Sequence, residues 1–322
     1  MSVLEYLMVL VKTLIYPGVI FVIILSLIYE WVDRKVYARM QNRIGPFYVG
    51  PSGFLQPFAD FLKLLSKEDI VPPHVDYHVF TLSPIITLYL VLLAMFLIPT
   101  GAWNEPYAIL AFEGDYILAL ALTTFITIFS FFAGWSSVNR FGVIGAMRAL
   151  YQMISYEISM FLCAAAVALD TRTLCLSRMA EVQASGLWYI LLHPLGFVVF
   201  ILSMQAELDK VPFDTPEAKT EIVGGWLTEI SGKKLAFFRL ASDIKLFFCA
   251  SLATTLYLAG PWGPLGPNIL WFLAKVTFVI ILVTTLRAAF ARFRIDQVLA
   301  VFWKYAIPLS LVQVLIALFI PH

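Results

Sequence analysis

The sequence predicts an all-α integral membrane protein: a single membrane domain over residues 1–322, eight transmembrane helices, and both termini outside. Three observations predict it. Of 322 residues, 61% are hydrophobic and 13% charged, with a mean hydropathy of +0.87, whereas ordinary soluble domains are roughly a quarter charged. Eight apolar stretches recur, at about 11–32, 80–98, 117–135, 149–169, 187–205, 235–258, 269–286 and 299–320. Each is close to the roughly 20 helical residues that cross a hydrocarbon layer, the only simple way to satisfy the backbone there. Finally, the loops after odd-numbered stretches hold 15 Lys and Arg residues, and those after even-numbered ones hold only Arg172 and Arg178. Positive residues stay in the cytoplasm, so the loops at about 33–79, 136–148, 206–234 and 287–298 are expected there.

The first stretch reads as a span, not a cleaved leader. Glu5 sits where a leader carries basic residues, and no small-residue cleavage pattern follows. Pro99, Pro106, Pro261, Pro264 and Pro267 lie between spans, where a missing N–H costs little. In the first long loop, glycines and prolines at 45–57 interrupt any helix. Phe58, Phe61, Leu62 and Leu65 then recur at helical spacing. They predict a short amphipathic helix, lying on the membrane surface or against a partner subunit. In the third loop, Thr215 is placed to cap a helix with Pro216 in its first turn. Glu217 and Glu221, four apart, would share one face of it.

Several chemistries are excluded. Net charge is +1, which gives nucleic acid no footing. Cys163, Cys175 and Cys249 are scattered, with no CxxC and no Cys/His cluster. No redox or metal cofactor is therefore expected within this chain. No GxSxG, phosphate loop or HExxH is present. What remains is charge in apolar surroundings. AELDKVPFDTPEAKTEIVGGWLTE (206–229) gathers Glu207, Asp209, Asp214, Glu217, Glu221 and Glu229. Glu157 lies inside the fourth span, and Arg239, Asp243 and Lys245 inside the sixth. Lys245 is about 15 Å deep at 1.5 Å per residue, and Lys275 in the seventh span is comparably deep. Such residues line a polar path or pair with one another. Arg239 and Asp243, four apart, can simply neutralise each other. His193 reads as a hydrogen-bonded packing residue. The acids crowd one side of the membrane and the lysines its middle, as a half-channel for protons or cations requires. A stand-alone transporter would instead show matched broken helices, and no such pair is visible.

Four stretches together resemble one family. They are ARMQNRIGPFYVGPSGFLQPFADFLKLLSKED (38–69), GWSSVNRFGVIGAMRALYQMISYEI (134–158), VPFDTPEAKTEIVGGWLTEISG (211–232) and RFRIDQVLAVFWKYAIPLSL (292–311). They are similar to the H subunit (mitochondrial subunit 1) of complex I and to its counterparts in energy-converting membrane-bound hydrogenases. The resemblance implies a cell-membrane anchor and coupling subunit under a peripheral redox arm. Glu157, Glu207, Asp214, Glu217, Glu221 and Glu229 then fall on the family's acidic funnel, which leads toward antiporter-like membrane subunits. Asp243, Lys245 and Lys275 join the candidates for ion translocation. Arg39, Arg43, Asp60 and Lys210 are candidates for the interface with the arm. Two departures bear on the branch. Lys210 stands where quinone-reducing members usually carry arginine, and a lysine lacks the guanidinium fork. Ser242 stands near a usual glutamate, with Asp243 one residue later. These favour the ferredoxin-linked, hydrogenase-like branch. That branch implies hydrogenase-like large and small partner subunits, ferredoxin as electron donor, and iron–sulfur clusters and a nickel–iron centre in those partners. The alternative is a quinone-site subunit of complex I.

Overall fold

In the computed structural model, which describes residues 10–264 and 266–319, helices carry most of the described residues. The chain's ends, including Glu5, lie outside the described residues. Helix α1 (Val19–Met40) is followed by a short α2 (Gln56–Ser66), then by α3 (Tyr77–Met95), α4 (Asp115–Ser136) and α5 (Arg140–Thr171). After α6 (Leu176–Ser185) come α7 (Pro194–Glu207), α8 (Gly232–Tyr257), α9 (Ile269–Ala289), α10 (Ile295–Val301) and α11 (Ile307–Phe319). Six helical segments are long and apolar enough to cross a membrane: Leu10–Met40, Tyr77–Met95, Asp115–Ser136, Arg140–Thr171, Ile269–Ala289 and Ile295–Phe319. The protein is therefore an all-α, multi-pass membrane protein.

Helix α8 is the hub. Every residue from Ile244 to Tyr257 is buried, as a helix apolar on all sides must be when neighbours surround it. It packs against α1, α3, α9 and α2. A second group is built on α5, which packs against α4, α7 and α11. Along α5 and α7 the contact is polar at intervals, with Ser159 and Ser203 hydroxyls 2.8 Å apart.

The predicted boundaries shift in four places, each for a local reason. Helix α1 runs on to Met40, through residues expected in a loop, because Arg34 pairs with Glu30 one turn back at 2.6 Å. The expected loop at 136–148 shrinks to 137–139. There the Asn139 side chain accepts the Phe141 N–H at 2.9 Å and starts α5 early. The fifth predicted span is broken instead of continuous. Pro194 cannot donate and pushes the residue before it out of helical geometry, so a turn at Tyr189–Leu192 ends before His193 (φ −122°, ψ 57°) and α7 restarts. The last span contains one π-helical turn, Phe302–Ala306, between α10 and α11.

The first-loop helix appears as predicted, but its apolar face meets this chain itself. Phe58 and Phe61 pack on the main core while Leu62 stays exposed. The third loop does not form the predicted helix at Thr215. That hydroxyl donates to Gln152 Oε1 at 2.6 Å instead, and the loop holds only a single α-helical turn at Lys219–Ile222 and a 3-10 turn at Gly225–Leu227. Gly225 lets this loop close. At φ +59° it sits where a Cβ would fall 1.8 Å from the Pro216 carbonyl oxygen.

Candidate functional site

A cavity of about 510 Å³ opens between α1, α2, α8, the third loop and the end of α9. Seven acidic side chains (Glu30, Asp33, Asp60, Asp209, Asp214, Glu217, Asp243) and seven basic ones (Arg34, Lys210, Lys219, Arg239, Lys245, Arg287, Arg292) line it. Helix geometry supplies one wall: Glu30, Asp33 and Arg34 recur at the i, i+3, i+4 spacing of one face of α1. Arg239, Ser242 and Asp243 do the same on α8.

The wall is tied by ion pairs. Asp33 is buried and accepts from Lys210 Nζ at 2.8 Å, Arg287 Nη1 at 2.8 Å and the Thr284 hydroxyl at 2.6 Å. It thus joins α1, α9 and the third loop. Arg34 reaches Asp60 on α2 at 2.7 Å, and Gln56 holds the other carboxyl oxygen at 2.8 Å. Arg292 lies 3.0 Å from Asp214 and also donates to its backbone carbonyl.

Gln152 of α5 anchors the third loop from the opposite side. Its amide nitrogen donates to the Ala206 and Phe213 carbonyls at 2.9 and 2.8 Å and to Asp209 Oδ1 at 3.0 Å. Its oxygen accepts from Thr215. The side chain is completely buried, so each bond replaces water that cannot reach it. Deeper in the bundle, the Lys245 ammonium lies 2.7 Å from Glu207 Oε1, and both groups are buried. Glu157 of α5 lies within electrostatic reach of both. One of its carboxyl oxygens is buried without a hydrogen-bond partner among the described residues.

Burial and neighbours set the loop carboxyls apart. Burial pushes Asp209 well above the ordinary carboxylate range. Lys245 opposes this, while Glu217, Glu207 and Asp214 add to it. Burial also raises Glu217, against the pull of Arg239 and Lys219. Asp60 goes the other way: burial opposes its ionisation, but the hydrogen bonds from Arg34 and Gln56 outweigh that and lower it. The hydrogen bond from Arg148 lowers Glu221, which lies at the surface.

Of the sequence-predicted residues, Asp60, Lys210, Asp214, Glu217, Asp243 and Lys245 line the cavity, and Glu207 and Glu157 lie behind it. Asp60, expected at the interface with the arm, lines the cavity and pairs with Arg34. Glu221 is turned away from Glu217 and pairs with Arg148 at 2.5 Å. Glu229 accepts a short hydrogen bond from Asn139 Nδ2 near the start of α5. Lys275 is remote from all of these: its ammonium donates to the carbonyls of Leu258, Gly260 and Trp262 at 2.5, 3.1 and 2.5 Å, closing the end of α8. Arg39 and Arg43 lie past the cavity at the end of α1, where Arg43 stacks on Tyr37. Glu30, Asp33, Arg34, Arg287 and Arg292 were not singled out from sequence, whereas Asp209 and Arg239 were noted as charges and both line the cavity. For the three on α1, the Glu30–Arg34 spacing was the available signal. Among the described residues no three of His, Cys, Asp and Glu converge as metal ligands.

Comparison with known proteins bears on this arrangement. A family model described as NADH dehydrogenase matches residues 12–318. The chain belongs to that family. It is 41% identical over 299 residues to the H subunit of the NADH-quinone oxidoreductase of Dehalococcoides mccartyi strain CBDB1, covering 93% of this chain and 83% of the relative. To the corresponding H subunit of Syntrophotalea carbinolica it is 39% identical over 290 residues, covering 88% of each chain. To an NADH-quinone oxidoreductase H subunit of Geobacter sulfurreducens it is 36% identical over 317 residues, covering 92% of this chain and 90% of the relative. The four-stretch resemblance to the complex I family therefore holds along nearly the full chain, and the protein is a multi-pass protein of the cell membrane.

Proposed function

We propose that this chain is the membrane coupling subunit of a complex I-type oxidoreductase. It converts electron transfer on a peripheral arm into proton or sodium movement through buried acids. The observation that carries this is the charge-lined cavity with Lys245 in its wall, the Lys245–Glu207 pair behind it and Glu157 within electrostatic reach of that pair. Asp214, Glu217 and Asp243 form its mouth and wall. Glu221 and Glu229 shape the loop behind it, and Arg39 and Arg43 face the arm. Lys275 has the supporting task of holding the end of α8. The membrane is crossed eight times, with both termini outside. The two further crossings are α8, whose charges set it apart from the apolar helices, and the broken segment ending in α7. Antiporter-like subunits receive the charge change along the membrane.

Two readings of the electron acceptor rest on different observations. Lys210 and Ser242 favour a ferredoxin-linked, hydrogenase-like complex, with iron–sulfur and nickel–iron centres in its large and small subunits. Lys210 is tied back to Asp33 at 2.8 Å and offers no guanidinium fork to a ligand. The cavity itself and the quinone in the relatives' names favour quinone reduction. Purifying the native complex decides between them. Ferredoxin-dependent formation of hydrogen or sulfide supports the first, and quinone-dependent, inhibitor-sensitive oxidation of NADH or ferredoxin supports the second. For coupling, Glu157→Gln and Glu207→Gln are expected to keep assembly and electron transfer and to lose ion pumping. Full pumping in both variants sinks the proposal.

A further inference from the structure

A second groove, of about 670 Å³, lies apart from the charged cavity, where α4 turns into α5. It sits at the membrane boundary. Helices α3 and α4 have 19 and 22 residues, about 28 and 33 Å at 1.5 Å per residue, which matches the roughly 30 Å hydrocarbon layer. Asp76 before α3 and Trp135 at the end of α4 therefore mark its edge. The Asp76 N–H donates to the Ser136 carbonyl at 3.3 Å and fixes the two helix ends side by side. In the turn at 137–139, Val138 takes a left-handed backbone (φ 53°) that a β-branched residue rarely adopts. Its side chain stands out of the bundle, 64% exposed.

Trp135, Val138, Val143 and Ile144 form apolar walls, and Asp76 and Arg140 are the two charged groups among the lining residues. Both charges are exposed. Neither has an ion pair or a side-chain hydrogen bond among the described residues, and they do not pair with each other. Asn139, also in the lining, is committed elsewhere: its amide nitrogen donates to Glu229 and its oxygen accepts from the Phe141 N–H. From the groove a largely apolar, exposed stripe continues along α5 through Ile144, Met147, Tyr151, Ile154 and Ile158. Steps of three and four residues keep these on one face, over about 21 Å of helix.

We propose that this groove binds one zwitterionic aminophospholipid, a glycerophospholipid with an ethanolamine-type headgroup. Arg140 receives the phosphate, for which a guanidinium fork is suited. Asp76 receives the primary ammonium, a group with three N–H donors. An acyl chain enters between Val138, Val143 and Ile144 and follows the stripe along α5. Trp135 is the residue type that settles at headgroup depth. Two opposite charges that line one groove and stay unpaired call for a ligand carrying both signs. An anionic headgroup answers Arg140 but is repelled by Asp76, and a choline headgroup has no N–H to give Asp76. The lipid joins α3, α4 and α5 beside Asn139, which holds Glu229 of the third loop, so it braces the loop that lines the charged cavity. Nothing in the site requires ion movement.

The test uses the native complex in nanodiscs of phosphatidylcholine alone, or of phosphatidylcholine mixed with phosphatidylethanolamine or with phosphatidylglycerol. A benzophenone side chain placed at Val138 is expected to crosslink to phosphatidylethanolamine over either other lipid by about fivefold, as one partly exposed charge contact supplies. Asp76→Asn should erase the preference over phosphatidylglycerol, and Asp76→Lys should reverse it. Arg140→Gln should lower labelling by every phospholipid. Equal labelling by all three lipids, unaltered by these variants, overturns the site. So does a crosslink to a neighbouring subunit, which makes the groove a protein interface. Should the labelled complex fail to assemble, lipid analysis of the wild type decides. Phosphatidylethanolamine retained through a detergent wash that strips the other two supports the site, and retention without enrichment over the surrounding membrane overturns it.

Discussion

Replacing Asp33 with asparagine removes the one anion that holds two cations at the cavity wall. Lys210 and Arg287 each lie 2.8 Å from it. With charge centres about 4 Å apart and an effective dielectric of about 20, each attraction is about 4 kcal/mol before desolvation is subtracted. Breaking a buried pair from one side costs about 3–5 kcal/mol, because the partner is left uncompensated. The Lys210 and Arg287 side chains retain 14% and 27% of their exposure, so water relieves part of that cost. The expected loss is about 3 kcal/mol, at the lower end of that range. Lys210→Met should cost less, about 1–2 kcal/mol, because Asp33 keeps Arg287 and Thr284. The double variant should be less destabilised than the sum of the two by about 1–3 kcal/mol. Thermal dissociation of the purified complex, followed as loss of this subunit, measures all three. Additive losses, or a larger loss for Lys210→Met than for Asp33→Asn, would refute the account of Asp33 as the organising charge.

Gln152→Leu leaves two buried carbonyls and the Thr215 hydroxyl unsatisfied, at about 1–3 kcal/mol for each group. It should raise hydrogen exchange throughout 206–215 while α5 stays protected. Lys245→Met should be better tolerated in a Glu207→Gln background than alone, since each single change strands the other group; equal losses in both backgrounds would show that the pair is not coupled. Asp209 and Glu217 are raised by burial, so the folded loop holds protons that the unfolded chain releases. Their contribution is complete below the ordinary carboxylate range and is lost as pH rises through the folded values. Protection of the third loop, corrected for the intrinsic pH dependence of amide exchange, should therefore fall as pH rises above the ordinary carboxylate range, and Asp209→Asn, which tolerates that residue's left-handed backbone (φ 50°), should flatten the trend. Glu221→Ala should cost under about 1 kcal/mol, because its partner Arg148 remains close to solvent.

The membrane class and most spans were legible because apolar length is a strong local property. The broken fifth segment was legible in principle, since Pro194 stands in plain view, but hydropathy averaged over a window conceals it. The cavity was half legible. Lys245, Asp243 and Asp214 declared themselves by being charged in or beside apolar sequence. Asp33, Arg34 and Arg287 did not, because charges at the end of a hydrophobic run look like the flanks of a span until the helix is known to continue. Lys275, deep by residue count, is bonded to the Leu258, Gly260 and Trp262 carbonyls, a contact that depth in the sequence does not reveal. Glu217 and Glu221 were paired on the assumption of a helix, which Thr215 forfeits by bonding to Gln152, a partner 63 residues away.

The equal tally of acids and bases around the cavity has a consequence for sensitivity. The fully ionised walls would sum to zero, so the protons that burial leaves on Asp209 and Glu217 set the sign and size of the standing field. A single added electron or proton about 10 Å from a wall group shifts that group by about 1.7 kcal/mol at an effective dielectric of about 20, which exceeds one unit of pKa. On the proposed coupling reading, the enclosure would behave as an electrometer, registering one elementary charge arriving from the redox side by moving protons on or off carboxyls such as Asp209 and Glu217, whose protonation burial already displaces.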